Sequence, residues 1–124
     1  MALNVRVEDG RSLTKTISLE GRLDHETAET LDKELEAVLG SAVKVVVFDL
    51  GKLEYITSAG LRLIFRAQKV MHARAGRTAI LNPQPQVQKV LDIVKIPELG
   101  LIVRNVKELD EYLDTIQKRV VDGE

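Results

Sequence analysis

Val43-Lys44-Val45-Val46-Val47-Phe48-Asp49-Leu50-Gly51 is the stretch on which the fold turns. From Val43 to Phe48 only Lys44 is polar, and the last four residues of the run are β-branched or aromatic. A strand with one wet face alternates apolar and polar residues. An uninterrupted run needs cover on both faces, which is the state of a central strand in an α/β sheet. Asp49-Leu50-Gly51 reads as its end, with a loop after it. Thr57-Ser58-Ala59-Gly60 then opens a helix to about Ala75, in which Leu61, Leu63, Ile64, Phe65, Ala67, Val70 and Met71 cover most of the circumference. Arg62, Arg66 and Lys69 follow at intervals of four and three, a single narrow cationic stripe on that helix.

On the N-terminal side, Leu3 to Val7 and Thr14 to Leu19 both alternate, and Asp9-Gly10 between them is a turn signal. These segments predict a β-hairpin turning across Glu8 to Leu13. From Gly21 the period changes. Ala28, Leu31, Leu35, Val38 and Leu39 recur at helical spacing, with Asp24 as the expected N-cap and Gly40 as a left-handed C-terminal stop. On the C-terminal side, Arg77 to Leu81 reads as a strand. Asn82-Pro83-Gln84-Pro85 starts a helix with Val87, Val90, Leu91 and Val94 inward, and Leu101 to Val103 is a last strand. Asn105-Val106-Lys107-Glu108 is a capping box that starts a final helix. The expected order is β-β-α-β-α-β-α-β-α. It gives an α/β domain with one mixed sheet, parallel except for the N-terminal hairpin, and about four helices packed on it.

The chain has 124 residues, 44% of them apolar and 30% charged, with a formal charge of −1. That is about one domain with enough apolar residues for a core. We expect a single domain over 1–124, its core at about 3–118 and its tail at 119–124 frayed. There is no cysteine, which excludes disulfides and Cys-ligated metal centres. The near-zero charge and 3% aromatic content argue against a nucleic-acid binder. The longest apolar run, Val45 to Phe48, falls far short of the roughly 20 residues of a membrane span, and Met1 to Asp9 does not read as a signal peptide. A cytoplasmic protein is expected.

Enzyme constellations are missing. The eight glycines form no dinucleotide or Walker loop, and Ser58 has no nucleophile-elbow context. His25 with Glu29 makes a poor metal site and reads as a solvated first-turn histidine. Asp49 stands where receiver domains carry a phospho-acceptor, but Glu20-Gly21-Arg22 lacks the acidic pair that would hold magnesium, so Asp49 reads as a loop cap. No cofactor and no metal are expected. Ser58 has two readings. As a cap, its hydroxyl serves the helix start. As a switch, it carries a phosphate of about −1.5 to −2 charges at the positive end of a helix.

Two segments carry a resemblance. Gly21-Arg22-Leu23-Asp24-His25-Glu26-Thr27-Ala28-Glu29-Thr30-Leu31 resembles the entry to the first helix of STAS domains. Phe48-Asp49-Leu50, with Tyr55-Ile56-Thr57-Ser58-Ala59-Gly60-Leu61-Arg62 after it, resembles the signature of the anti-sigma factor antagonists of that family. The resemblance implies a protein that binds an anti-sigma factor, often itself a serine kinase, and thereby frees a sigma factor. It implies Ser58 as the phosphorylated residue, and release of the partner on phosphorylation. It further implies a PP2C-type phosphatase that restores binding, and a partner face of Asp24, Thr57, Ser58, Ala59, Gly60 and Arg62. Many such antagonists have Asp before the acceptor; Thr57 stands there here and becomes a second candidate. A monomer or weak dimer is expected. The alternative is an unphosphorylated STAS interaction module, such as a transporter accessory subunit or a signalling scaffold, with the Arg62, Arg66, Lys69 stripe docking an acidic partner.

Overall fold

The computed structural model describes residues 3–11, 13–94, 101–103, 107 and 111. Five strands form one sheet in sequence order: β1 (Leu3–Asp9), β2 (Thr14–Leu23), β3 (Val45–Ile56), β4 (Arg77–Leu81) and β5 (Leu101–Val103). β1 and β2 are antiparallel; the other three pairings are parallel. Helices α1 (Ala28–Leu39), α2 (Ser58–Ala73) and α3 (Pro85–Val94) make the crossovers. This is the expected mixed sheet. Lys107 and Glu111 are helical, and the rest of the expected last helix lies outside the described residues, as does the tail.

The core follows from side-chain alternation. Val46, Phe48 and Ile80 point to the side where Leu31, Leu35 and Val38 of α1, Ile64, Ala67 and Met71 of α2, and Val87 and Leu91 of α3 gather. Their strand neighbours Val45, Val47, Ala79 and Leu81 alternate to the other face and are buried too. The unbroken apolar run thus has the two covered faces it requires. Lys44 stays out of the strand, and its Nζ donates to the Arg74 carbonyl at 2.9 Å.

The strand boundaries differ from the sequence reading. β3 does not stop at Asp49 but runs to Ile56, and β2 runs to Leu23. The reason is two register shifts. Ser18 pairs with Asp49 but Glu20 with Lys52, and Gly21 pairs with Leu53 but Arg22 with Tyr55. Each shift gives β3 one extra residue and reverses which face the following side chains take. Leu50, Leu53 and Ile56, three apart, therefore all reach the core. Spacing of three has no strand signature, so the segment read as loop. Gly21, at φ 110°, lies at the second shift, in a conformation that side chains resist. Asp49 consequently sits inside β3. Its Oδ1 accepts from the Gly51 N–H at 3.0 Å, holding the first bulge.

Helix α1 ends differently than expected. Gly40 is right-handed, at φ −78° and ψ −10°. No left-handed turn is needed, because side chains take the free carbonyls. The Ser41 hydroxyl donates to Val38 at 2.6 Å, and the Arg74 guanidinium donates to Leu39 at 2.8 Å, Ser41 at 3.0 Å and Val43 at 3.4 Å. Arg74, just past α2, thus closes the end of α1. Arg74→Ala should cost about 2 kcal/mol in urea unfolding, and Arg74→Lys should recover less than half, since one ammonium does not span the same carbonyls.

Candidate functional site

The site is built where β2 and β3 finish and α2 begins. The Thr57 N–H donates to the Leu23 carbonyl at 3.0 Å, tying the start of α2 to the end of β2. The first helical bond runs from the Leu61 N–H to the Thr57 carbonyl at 3.0 Å. The amides of Ser58, Ala59 and Gly60 are the unpaired donors that every helix start exposes, and no acidic residue lies in the first turn. Ser58 is exposed, and none of the hydrogen bonds among the described residues engages its hydroxyl.

Thr57 is the N-cap by position but not by bonding. Its φ is −113° and ψ 176°, its hydroxyl makes no cap bond, and Oγ1 is buried without a partner. The hydroxyl at the N-cap position therefore does not cap α2. The same burial separates the two candidate acceptors: the Ser58 oxygen faces outward and the Thr57 oxygen does not.

Ser58, Ala59 and Thr57 form one wall of a groove of about 490 Å³. Arg22, Asp24, His25 and Glu26 line it from the end of β2 and the following turn; Tyr55 and Arg62 complete it. Arg22 and Tyr55 are register partners, and the Arg22 guanidinium lies 4.2 Å from the Tyr55 ring centre. Its Nε is 3.9 Å from Asp24 Oδ2.

Asp24 holds the turn into α1 rather than α1 itself, whose N-cap is Thr27. Asp24 Oδ1 accepts from the Glu26 and Thr27 N–H groups, both at 3.0 Å. The Thr27 hydroxyl donates to the Arg22 carbonyl at 2.7 Å and accepts from the Asp24 N–H at 2.9 Å. The Thr27 N–H, above all, holds the Asp24 carboxyl below its usual value, helped by the Thr27 hydroxyl, the Glu26 N–H and Arg22 against a smaller opposing effect of desolvation. A carboxyl lowered by folding adds stability that is present above its unfolded pKa, about 3.9, and is lost as pH falls through the folded value. The contribution of Asp24 to the turn should therefore be constant around neutrality and be lost only in acid, below about pH 4. Amide shifts of Glu26 and Thr27 followed by NMR should show that transition, and Asp24→Asn should abolish it.

One residue of the expected partner face lies inside the fold. Gly60 is buried, and a Cβ there would stand 2.5 Å from Leu23 Cγ and 2.7 Å from Leu23 Cδ2. The space left by the missing side chain belongs to the core, so Gly60 does not open room for a partner. The cationic stripe is also broken. Arg66 Nη2 lies 2.9 Å from Asp32 Oδ1 and 3.4 Å from Glu36 Oε1 on α1. Arg62 is exposed and has no ion pair among the described residues. Sequence reasoning missed Arg22 and Tyr55 because the contact exists only through the register of β2 on β3. His25 is exposed, and the described residues contain no cluster of three or more metal-ligating side chains around it or elsewhere.

A sequence model of the STAS domain matches residues 3–109, and the chain belongs to the STAS domain family. Within that family its likeness runs to anti-sigma factor antagonists. It is 33% identical over 78 residues to the anti-sigma F factor antagonist of Lysinibacillus sphaericus, covering 62% of this chain and 67% of that one. It is 36% identical over 75 residues to BtrV of Bordetella bronchiseptica, covering 60% of this chain and 65% of that one. The matched stretch thus spans about two thirds of either relative's length. The unphosphorylated anti-sigma factor antagonist SpoIIAA superposes with a TM-score of 0.78 at 25% identity, over 90% of this chain and 97% of its own. Its phosphorylated form shares the fold, with a TM-score of 0.72 at 24% identity over 89% and 99%. No helix among the described residues is long and apolar enough to cross a membrane.

Proposed function

We propose that this chain is an anti-sigma factor antagonist, a single STAS domain that binds an anti-sigma factor through the groove beside Ser58 and is switched off by phosphorylation there. The observation that carries the reading is the Ser58 hydroxyl: exposed, outside the hydrogen bonds of the fold, and first in α2. The relatives named as antagonists support it, as does a neighbour of the same fold known with and without phosphate. The chain acts as a substrate and binding partner, not as a catalyst. On the partner kinase, Ser58 Oγ attacks the γ-phosphorus of ATP; the Oγ–P bond forms, the bond to ADP breaks, and the seryl proton passes to a base of the kinase. A PP2C-type phosphatase adds water across the Oγ–P bond, releasing inorganic phosphate and restoring the hydroxyl. The setting is the bacterial cytoplasm, with the chain a monomer or weak dimer making no direct contact with nucleic acid or membrane.

A constitutive scaffold or transporter accessory role draws on the cationic stripe. That stripe is interrupted at Arg66, whose charge α1 already neutralises, so the switch reading is favoured. Incubation with the cognate kinase and ATP, followed by mass mapping, should place one phosphate on Ser58. Absence of phosphate from both Ser58 and Thr57 overturns the reading.

A further inference from the structure

We infer that Arg62 and Arg22 form a binding site for the phosphoryl group carried by Ser58 itself, so that the modified side chain folds onto its own protein. This rests on the proposal that Ser58 is the modified residue.

The argument begins with spacing. Ser58 and Arg62 are four apart in α2, and such pairs lie one above the other on the helix surface. Both line the same groove. Arg62 is uncommitted among the described residues, whereas Arg66, one turn further on, is held by Asp32 and Glu36. Arg22 reaches the groove from the other side, and it is held there by the face of Tyr55 at 4.2 Å. A guanidinium stacked on a ring keeps its N–H edge free for an oxyanion. Its contact with Asp24, at 3.9 Å, is long, and Asp24 is already served by two backbone amides at 3.0 Å. Exchanging that contact for a phosphate therefore leaves no carboxylate stranded. A dianionic phosphate accepts from both guanidinium groups, each a charge-assisted bond.

The consequence is a second way of switching off. Phosphorylation places a dianion in the groove that the partner must cover, and it also withdraws Arg62 and Arg22 from whatever they contact on that partner. Glu26 and His25, the other charged or titratable groups of the groove beside Asp24 and Tyr55, are exposed and set the background potential.

The test uses phosphoserine placed at position 58 during synthesis, so no kinase is involved. Its 31P resonance is followed from about pH 4 to about pH 8, around the ordinary second ionisation near 6. Two adjacent guanidinium groups favour the dianion, so the midpoint should fall by about one unit. Arg62→Gln and Arg22→Gln should each move it back part of the way, and the double variant the whole way. Arg62→Lys should retain part of the shift, and Arg66→Gln all of it. An unshifted midpoint, or one that is the same in the parent and the double variant, overturns the assignment. Failure of a kinase to modify Ser58 would sink the antagonist proposal without altering this titration.

Discussion

Ser58→Asp is expected to weaken binding to the anti-sigma partner about a hundredfold, while Ser58→Ala stays within about threefold of the parent. The carboxylate arrives on an exposed side chain at the first residue of α2, in a groove that a partner must cover for binding. There it meets like charge on the partner, or it draws Arg62 and Arg22 onto itself and away from the partner, and either costs several kcal/mol. The fold should be indifferent to both changes. The Ser58 hydroxyl takes no part in the hydrogen bonding among the described residues, and an acidic side chain is favoured at a helix start by some tenths of a kcal/mol. Titration calorimetry, beside a urea unfolding curve for each variant, separates the two effects. Loss of binding in both variants would make the hydroxyl a direct contact and remove the electrostatic account.

Gly60→Val is expected to be the most damaging single change at the site, at about 3 kcal/mol. Two effects oppose one another. Replacing glycine by alanine or valine gains up to about 1 kcal/mol of helix propensity. Against that, the added Cβ lands 2.5 Å from Leu23 Cγ and 3.2 Å from Ile56 Cγ1. Leu23 is fully buried and the Thr57–Leu23 backbone bond fixes the separation of α2 from β2, so neither side yields cheaply. Overpacking wins, more narrowly for Gly60→Ala, which should lose about 1 kcal/mol. The coupled test is Gly60→Ala with Leu23→Ala. If the clash is the cause, the double variant is more stable than the sum of the single losses predicts. Strict additivity would contradict the packing explanation.

Much of the architecture was legible because it is written in local periodicity. The apolar run at Val43 to Phe48 identified the central strand, the spacing of three and four identified α1, α2 and α3, and Asp9-Gly10 the hairpin. The start of α2 at Ser58 was readable for the same reason. The extensions of β2 and β3 were not. Their Leu50, Leu53 and Ile56 pattern makes sense only once the register shifts restore each of them to the core. Gly40 misled because a glycine after a helix usually marks a left-handed stop, and the long-range arm of Arg74 makes that stop unnecessary.

The sequence by itself determined the fold class, the element order and the serine at a helix entrance, since propensity, capping and apolar spacing act over a few neighbouring residues. Tertiary structure decided which groups meet. It laid Arg22 on Tyr55, bound Arg66 to α1, turned Gly60 inward against Leu23, and hid the Thr57 hydroxyl while leaving that of Ser58 in the open. These are contacts between segments far apart along the chain. Their geometry is set by strand register and close packing, which no local pattern of residue types encodes.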